Sequence, residues 1–285
     1  MPLQWTVGNV TITRIVELEA VGGSKFILPQ ATREHVVTIP WLAPHFADAE
    51  GRLKMSVHAL VVETPEKRIV VDTCIGNDKT RNMANWSHLQ TTFLTDFEAA
   101  GFSRHSIDTV LCTHLHVDHV GWNTMWVDGE WKPTFPGARY LLAKPEFEYW
   151  QAEAAAEKGE PEIFLDSVQP IWEAGLVDLV GTDHRICDEV WLVPTLGHTP
   201  GHVSVRISSK GENALITGDF IHHPCQLARP DWASAADYDQ VASTQTREDM
   251  FESLANTSTL VIGTHFAAPT AGHVVREGSA YRLKV

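Results

Sequence analysis

The sequence has little that would place the protein in a membrane, on a nucleic acid or among disulfide-stabilised secreted domains. It has four cysteines in 285 residues and no CxxC pair, so we expect neither a thiolate zinc site nor a disulfide framework. A membrane span needs a run of about 18 apolar residues, and none is present. The 22 Lys and Arg stand against 36 Asp and Glu, a net charge of -14, which argues against a nucleic-acid or membrane-surface partner. The opening Met-Pro-Leu-Gln-Trp lacks the regions of a signal peptide, and we expect a cytoplasmic protein with reduced thiols.

The most informative feature is the string His-Leu-His-Val-Asp-His at residues 114–119. Each neutral imidazole offers a nitrogen lone pair, and an aspartate beside three of them suits a borderline divalent cation such as zinc. The string follows residues 106–113, where Ile107, Val110 and Leu111 predict a buried strand. We therefore predict a metal site on the loop that leaves this strand, where a mixed α/β scaffold usually displays its chemistry.

Three further strand ends each carry one residue that can bind a metal. Because such ends can converge on one edge of a sheet, we expect these residues to join the string at 114–119. They are His198 in the string Gly-His-Thr-Pro-Gly-His after a strand at 189–194, Asp219 after a strand at 214–217, and His265 after a strand at 260–263.

The rest of the chain is mixed α and β without a low-complexity linker, which predicts a single domain over residues 1–285. The segment 21–51 is less regular, and we interpret it as a lid over the site, a dimer contact or a packed loop. The remaining predicted elements are strands at 6–17, 58–63, 68–72, 139–143 and 203–208, helices at 91–100, 145–158 and near 247–255, and a hairpin around 276–283.

In this order, the motif HxHxDH, a distant His, an Asp and a last His resemble the metallo-β-lactamase superfamily. The resemblance runs from the hairpin that ends at Asp72 to the C-terminal hairpin. It implies an α/β fold, a four-layer αβ/βα sandwich of two mixed β-sheets flanked by helices. It also implies two divalent metal ions, with zinc favoured and cobalt, manganese or iron fitting the same ligands. By position, His114, His116 and His198 would bind the first ion, Asp118, His119 and His265 the second, and Asp219 would bridge them.

This ligand set predicts a hydrolase. Two cations lower the pKa of a bridging water from far above neutral toward about 7, so a hydroxide is present at neutral pH and can attack a carbonyl or phosphoryl centre. Asp118 and Asp219 are then the residues assigned to catalysis, with Asp219 or a neighbour protonating the leaving oxygen. His202, in the same string as His198, is expected to support the loop.

The strings Val71–Asp78 and Gly218–Pro224 resemble the branch that contains methyl parathion hydrolase and quorum-quenching lactonases. That branch implies a small, neutral, fairly apolar substrate, a lactone or another ester, and a homodimer. His222 is the expected polar contact to this substrate, and the alternative is a surface histidine or one that supports a metal ligand. The aromatic candidates, for each of which core packing is the alternative, are Phe26, Trp122 and Phe266, with Trp86 and Trp126 as further possibilities for an apolar pocket.

Two other substrates remain as alternatives, an organophosphate triester and a glutathione thioester of the glyoxalase II type. The thioesterases usually add basic residues that hold glutathione, whereas the basic residues in the second half of this chain are scattered. The zinc β-lactamases usually carry cysteine where Asp219 stands, which disfavours antibiotic hydrolysis. A non-catalytic relative would have lost ligands, and none is lost here. The role of Cys225, close to His222 and His223, stays open.

Overall fold

Two mixed β-sheets face each other in the computed structural model, which describes residues 2–285 without the side chains of Ser24 and Lys25. Mixed sheets with helices outside confirm the predicted fold class. The strands are β1 (Gln4–Val7), β2 (Val10–Val21), β3 (Lys54–Glu63), β4 (Arg68–Val71), β5 (Thr109–Leu111), β6 (Thr124–Val127), β7 (Glu130–Pro133), β8 (Arg139–Ala143), β9 (Val177–Val180), β10 (Val190–Pro194), β11 (Val203–Ser209), β12 (Glu212–Ile216), β13 (Leu260–Ile262), β14 (Ala271–Glu277) and β15 (Ala280–Lys284).

The first sheet has seven strands in the order β1-β2-β3-β4-β5-β8-β9. Neighbours from β1 to β4 are antiparallel, and those from β4 to β9 are parallel. The second sheet has six strands, β10 to β15 in chain order, and its one parallel pair is β12 with β13. A separate hairpin of β6 and β7 completes the described strands. Each sheet therefore has a parallel pair near its centre, and the carboxyl ends of such a pair lie at one edge.

Helices cover the outer face of each sheet. They are α1 (Ser24–Ile27), α2 (Arg33–Val36), α3 (Phe93–Ala99), α4 (Val117–Val120), α5 (Lys144–Ala155), α6 (Pro161–Ser167), α7 (Gln169–Glu173), α8 (Cys225–Ala228) and α9 (Gln240–Leu254), with short 3-10 turns at Pro40–Leu42, Gly121–Asn123 and Gly218–Phe220. Among residues 2–285, no helix combines the length and the apolar character that crossing a membrane requires.

Alternate residues of the central strands belong to different cores, as the two-residue repeat of a strand requires. In β5, Leu111 packs between the two sheets, whereas Val110 packs with the aromatic residues of α3 and α5. In β12, Ile216 packs between the sheets, whereas Leu215 packs with Phe251 of α9. The molecule thus has four layers, helices, sheet, sheet and helices.

The irregular segment 21–51 is packed onto the second sheet and its helices. Its apolar residues Leu28, Val36, Leu42 and Phe46 are buried in the same core as α8 and α9. A role of this segment as a lid or a dimer contact stays a prediction.

Candidate metal centre

The predicted ligands converge because the strands that precede them end at the same edges. β4 and β5 are parallel, and Asp72 and His114 follow their last residues closely. β12 and β13 are parallel as well, and they lead to Asp219 and His265. At this edge the two sheets are joined by a hydrogen bond from the Val203 amide to the Thr113 carbonyl, 3.0 Å. All seven predicted metal-binding residues lie in this one region.

His114, His116 and His198 form what we call the first cluster. Nδ1 of His116 lies 3.1 Å from Nε2 of His114 and 2.9 Å from Nε2 of His198. The far nitrogen of each outer ring is already engaged: His114 Nδ1 lies 3.1 Å from Thr113 Oγ1, and His198 Nδ1 donates to Asp237 Oδ1 at 2.8 Å. Because these contacts place the ring proton on Nδ1, each Nε2 carries a free lone pair, and both lone pairs face His116. Converging lone pairs repel one another unless a cation lies between them, so this cluster fits a metal ion.

Asp118, His119 and His265 form the second cluster. His119 Nε2 lies 3.2 Å from His265 Nε2, and Asp118 oxygens lie 3.6 Å from the first of these nitrogens and 3.5 Å from the second. The Nδ1 atoms on the far side of these rings are again hydrogen-bonded. His119 Nδ1 binds Asp72 Oδ2 at 2.9 Å, and His265 Nδ1 binds the Ser56 carbonyl at 3.0 Å. Such outer hydrogen bonds fix the tautomer that presents Nε2 to a metal.

Asp219 lies between the two clusters. Its Oδ2 is surrounded by imidazole nitrogens, while its Oδ1 is buried without a hydrogen-bond partner among the described residues. The distances from Oδ2 to Nε2 are 3.2 Å for His265, 3.3 Å for His222, 3.5 Å for His119, 3.6 Å for His198 and 3.9 Å for His114. One carboxylate oxygen therefore faces both clusters, which is the position a bridging ligand requires.

His202 holds Asp219 through its backbone. The Asp219 amide donates to His202 Nε2 at 2.6 Å, and His202 Nδ1 lies 2.9 Å from the Thr195 carbonyl. Burial lowers the pKa of His202 to about 4, so the ring is neutral and Nε2 accepts. Gly218 has a φ of +55°, and a Cβ there would lie 2.6 Å from His202 Nε2. The turn that aims Asp219 therefore needs glycine, and His202 supports the loop without joining the first cluster.

His222 is a further imidazole at the centre. It is buried, yet neither ring nitrogen has a hydrogen-bond partner among the described residues. Its ring stacks parallel to His265 at 6.2 Å and lies 4.8 Å from His198. A buried polar group without a partner costs about 1–3 kcal/mol, which is offset when a bound metal or substrate supplies the partner.

The electrostatics favour a cation at the centre. Burial lowers the pKa of His116 to about 4, so its ring is neutral and can offer a lone pair. Burial also lowers the pKa of His265, but the Asp219 and Asp118 carboxylates outweigh it and raise that pKa to about 9. The second cluster therefore attracts positive charge, and a metal ion can take the place of the proton. Neutral imidazoles beside two carboxylates are a donor set that fits divalent zinc.

The aromatic residues expected at the substrate occupy different places. Phe26 is 64% exposed on α1. Trp122 and Phe266 instead lie in the interior, Trp122 stacked on Phe93 at 5.6 Å and Phe266 against Phe46 at 6.1 Å. Because these two side chains are only 4% and 0% exposed, they pack in the core and leave no open face for a substrate. Trp86 packs against the first sheet's core, and Trp126 is half exposed on the separate hairpin.

Several supporting residues had no signal in the sequence. Asp237, which holds His198, stands 39 residues from it in an irregular loop, and Ser56, which holds His265, acts through its backbone. Asp72 had a weak signal, since it follows a predicted strand. The thiol of Cys225 is buried, its pKa is raised by that burial, and all four cysteines are free.

Comparison with known proteins gives concordant results. The family model described as the metallo-beta-lactamase superfamily matches residues 53–277. A probable metallo-hydrolase of Mycobacterium tuberculosis is 26% identical over 188 residues, 58% of this chain and 57% of that protein, so the chain spans little more than half of this relative's length. Two solved structures, of the hydrolase AbOPH and of the dizinc quorum-quenching lactonase AidC with a bound product, are each 24% identical with a TM-score of 0.80 and cover 99% of this chain and 96% of theirs. At this identity they show a shared fold.

Proposed function

The chain belongs to the metallo-beta-lactamase superfamily, and from this premise we propose that it is a dinuclear metal-dependent hydrolase of small, neutral lactones or other esters. One observation carries the proposal: Asp219 Oδ2 faces the nitrogens of both clusters within 3.9 Å. A carboxylate in that position is suited to bridge two ions. We propose zinc as the metal, a cytoplasmic location and a homodimer, as expected from the sequence.

The first cluster and the second cluster would each hold one ion, and the Asp219 carboxylate between them would be a ligand to both. Two bound divalent cations supply a hydroxide nucleophile at neutral pH and polarise the scissile carbonyl. Asp219 Oδ1, which has no partner among the described residues, would accept the proton released when water becomes hydroxide and would return it to the leaving oxygen. The Asp118 carboxylate lies beside His119 and His265 and would complete the donor set for the second cation.

His222 is the proposed polar contact to the substrate. Burial lowers the pKa of His222 to about 3, so the ring is neutral and carries one N–H. That N–H can donate to the carbonyl or leaving oxygen of an ester, which stabilises the charge that develops there. The distance of 3.3 Å between His222 Nε2 and Asp219 Oδ2 supports this role.

Phe26 is the proposed apolar contact. The Ser234 hydroxyl and the Ala235 amide both donate to the Ile27 carbonyl, at 3.1 and 2.9 Å. This anchors α1 to the loop that contains Asp237, and Asp237 holds His198 of the first cluster. An exposed ring on a helix attached to that loop suits an acyl or aryl group of the substrate.

The choice of lactones is supported by analogy of fold, which by itself does not establish a reaction. The product-bound lactonase AidC shares the fold over nearly the whole chain. The alternatives are glutathione thioesters and organophosphate triesters.

A substrate panel tests the proposal. The protein would be assayed with an N-acyl homoserine lactone, a p-nitrophenyl ester, S-lactoylglutathione and an aryl phosphotriester at equal concentration. We expect the highest kcat/KM on the lactone or the carboxylic ester. A preference for S-lactoylglutathione would overturn the assignment in favour of a thioesterase, and a preference for the phosphotriester would favour an organophosphate hydrolase.

His222→Leu in the same panel tests the substrate contact, because leucine has no N–H to donate. We expect kcat/KM to fall by about 100–1,000-fold with unchanged metal content, whereas His105→Leu, at an exposed histidine, should change neither. A loss of bound metal in His222→Leu would show that His222 is a ligand and not a substrate contact.

A further inference from the structure

We propose that two buried carboxylates act as separate positioning residues, Glu146 for the first cluster and Glu17 for the second. The inference rests on the proposed metal site. Neither residue has a described hydrogen bond to a metal-binding side chain. Glu146 instead binds backbone amides of the two loops that carry the first cluster, and Glu17 binds backbone amides of a loop that contacts the helix of the second cluster.

Glu146, in α5, joins the two loops of the first cluster. Its Oε1 accepts from the Leu115 amide at 3.0 Å, and Leu115 stands between His114 and His116 in the chain. Its Oε2 accepts from the Gly201 amide at 2.9 Å, in the loop that begins at His198. The loops come from different sheets, so this one carboxylate fixes the separation between the two halves of the cluster.

Two further contacts of α5 fit this role. A Cβ on Gly201 would lie 2.3 Å from the Glu146 backbone nitrogen, so the loop can approach the helix this closely only with glycine there. Trp150 donates to Glu146 Oε1 at 2.7 Å, and its ring meets the edge of His116 at 5.4 Å. The Glu146 carboxylate therefore positions the loops of the first cluster, and the Trp150 ring packs against His116.

Glu17 lies in β2 at an irregularity between Val16 and Leu18, where the register with β3 shifts. Such a bulge turns a side chain out of the regular pattern of a strand. Glu17 Oε2 accepts from the Ile75 amide at 2.7 Å, and Oε1 accepts from the Trp122 indole at 2.6 Å. These contacts tie the loop at 73–76 to the residue that follows α4 by two positions.

The loop at 73–76 in turn holds α4, which carries Asp118 and His119. The Thr73 amide donates to the His119 carbonyl at 2.7 Å, and the Gly121 amide donates to the Cys74 carbonyl at 2.7 Å. A Cβ on Gly121 would lie 1.8 Å from the Ile75 carbonyl oxygen, so the two backbones are in direct contact. Glu17 therefore acts on the second cluster through the loop at 73–76.

Glutamine is the informative substitution at both positions because it keeps the volume. Each carboxylate oxygen faces N–H donors, whereas an amide offers one acceptor oxygen and an NH2 group that donates. Glu146→Gln must therefore set an NH2 group against either the Leu115 or the Gly201 amide, and Glu17→Gln against either the Ile75 amide or the Trp122 indole. Each variant breaks one link of its own cluster and leaves the other cluster intact.

The test is a titration of metal-free protein with Co²⁺, followed by absorbance and calorimetry. His198→Ala and His265→Ala serve as references that identify which binding phase belongs to which cluster. We expect Glu146→Gln to weaken the phase lost in His198→Ala by about 10–100-fold and Glu17→Gln to weaken the phase lost in His265→Ala by the same factor. Glu148→Gln, exposed on α5, and Glu66→Gln, exposed in the β3–β4 turn, are the matched controls and should bind as the wild type does.

The outcomes separate the two proposals. Wild-type affinity in both glutamine variants, or equal weakening of both phases in either one, would overturn the positioning roles. A wild-type chain that binds no Co²⁺ would overturn the proposed function itself. If Glu146→Gln does not fold, Glu146→Asp keeps both oxygens but cannot span both loops, and it should weaken the first phase alone. A folded Glu146→Asp with wild-type binding would contradict the assignment.

Discussion

His223 should make the protein less stable in acid, and the size of this effect follows from the lowered pKa of its buried ring. His223 Nδ1 accepts from the Cys225 amide at 3.0 Å, and Nε2 donates to the Phe46 carbonyl at 2.8 Å. These bonds attach the segment 21–51 to the turn after Asp219. A proton on Nδ1 would remove the acceptor, and burial lowers the pKa of His223 from 6.5 to about 4.

The sign follows from proton linkage. Between pH 6.5 and about 4 the unfolded chain binds a proton at this histidine and the folded chain does not, so stability falls as the pH falls. At pH 5 the pH is about 1.5 units below the pKa of the unfolded side chain. At about 1.36 kcal/mol per unit, the free energy of unfolding falls by about 2 kcal/mol. Above pH 7 the residue contributes no such loss.

His223→Gln isolates this contribution. Glutamine can still donate to the Phe46 carbonyl but leaves the buried Cys225 amide without its acceptor, which costs about 1–3 kcal/mol at pH 7.5. At pH 5 the wild type loses about 2 kcal/mol more than the variant does, so the difference between them should shrink by that amount. Guanidinium denaturation of both chelator-treated proteins, followed by tryptophan fluorescence, measures it, with exposed His105→Gln as control. An equal difference at both pH values would refute the reasoning.

Three further substitutions test the centre itself. Asp219→Asn should remove measurable turnover, because the amide can no longer face both clusters as a charged ligand; kcat and metal content measure this. His202→Gln should lower kcat/KM by only about 10–100-fold, since the Asp219 carboxylate remains, and a loss as complete as that of Asp219→Asn would mean that the roles are misassigned. Gly121→Ala should lower the free energy of unfolding by about 3 kcal/mol, because its Cβ would lie 1.8 Å from the Ile75 carbonyl. In the same denaturation assay Gly137→Ala should have little effect, since the nearest atom to its Cβ would be 3.7 Å away.

The sequence predicted the architecture well where the signal was local. A short apolar run predicts a buried strand, and His114, Asp219 or His265 just after such a run predicts a ligand where the strand ends. The two signals lie within a few residues of each other. The strand at Arg139–Ala143 has the bounds that were predicted. The strand predicted at 6–17 is a hairpin with its turn at Gly8. The β-branched residues that flank the Gly8-Asn9 pair on both sides predict one continuous strand, although this pair favours a turn.

The supporting residues were out of reach for a physical reason. Glu146 meets Leu115 across 31 positions and Gly201 across 55, and no periodicity connects residues so far apart. Glu17 acts through a strand irregularity that the alternating pattern of β2 does not reveal. The aromatic substrate candidates could not be told apart for a different reason: all three are aromatic, and the sequence does not reveal that Trp122 and Phe266 are buried whereas Phe26 is exposed.

The most direct test of the central claim is the count of metal ions per chain, measured by atomic spectroscopy alongside ester hydrolysis before and after chelation. The account predicts two divalent ions per chain, loss of hydrolysis when both are removed, and full recovery only after two equivalents are returned. Hydrolysis that persists in metal-free protein, or full recovery with a single equivalent, would contradict it.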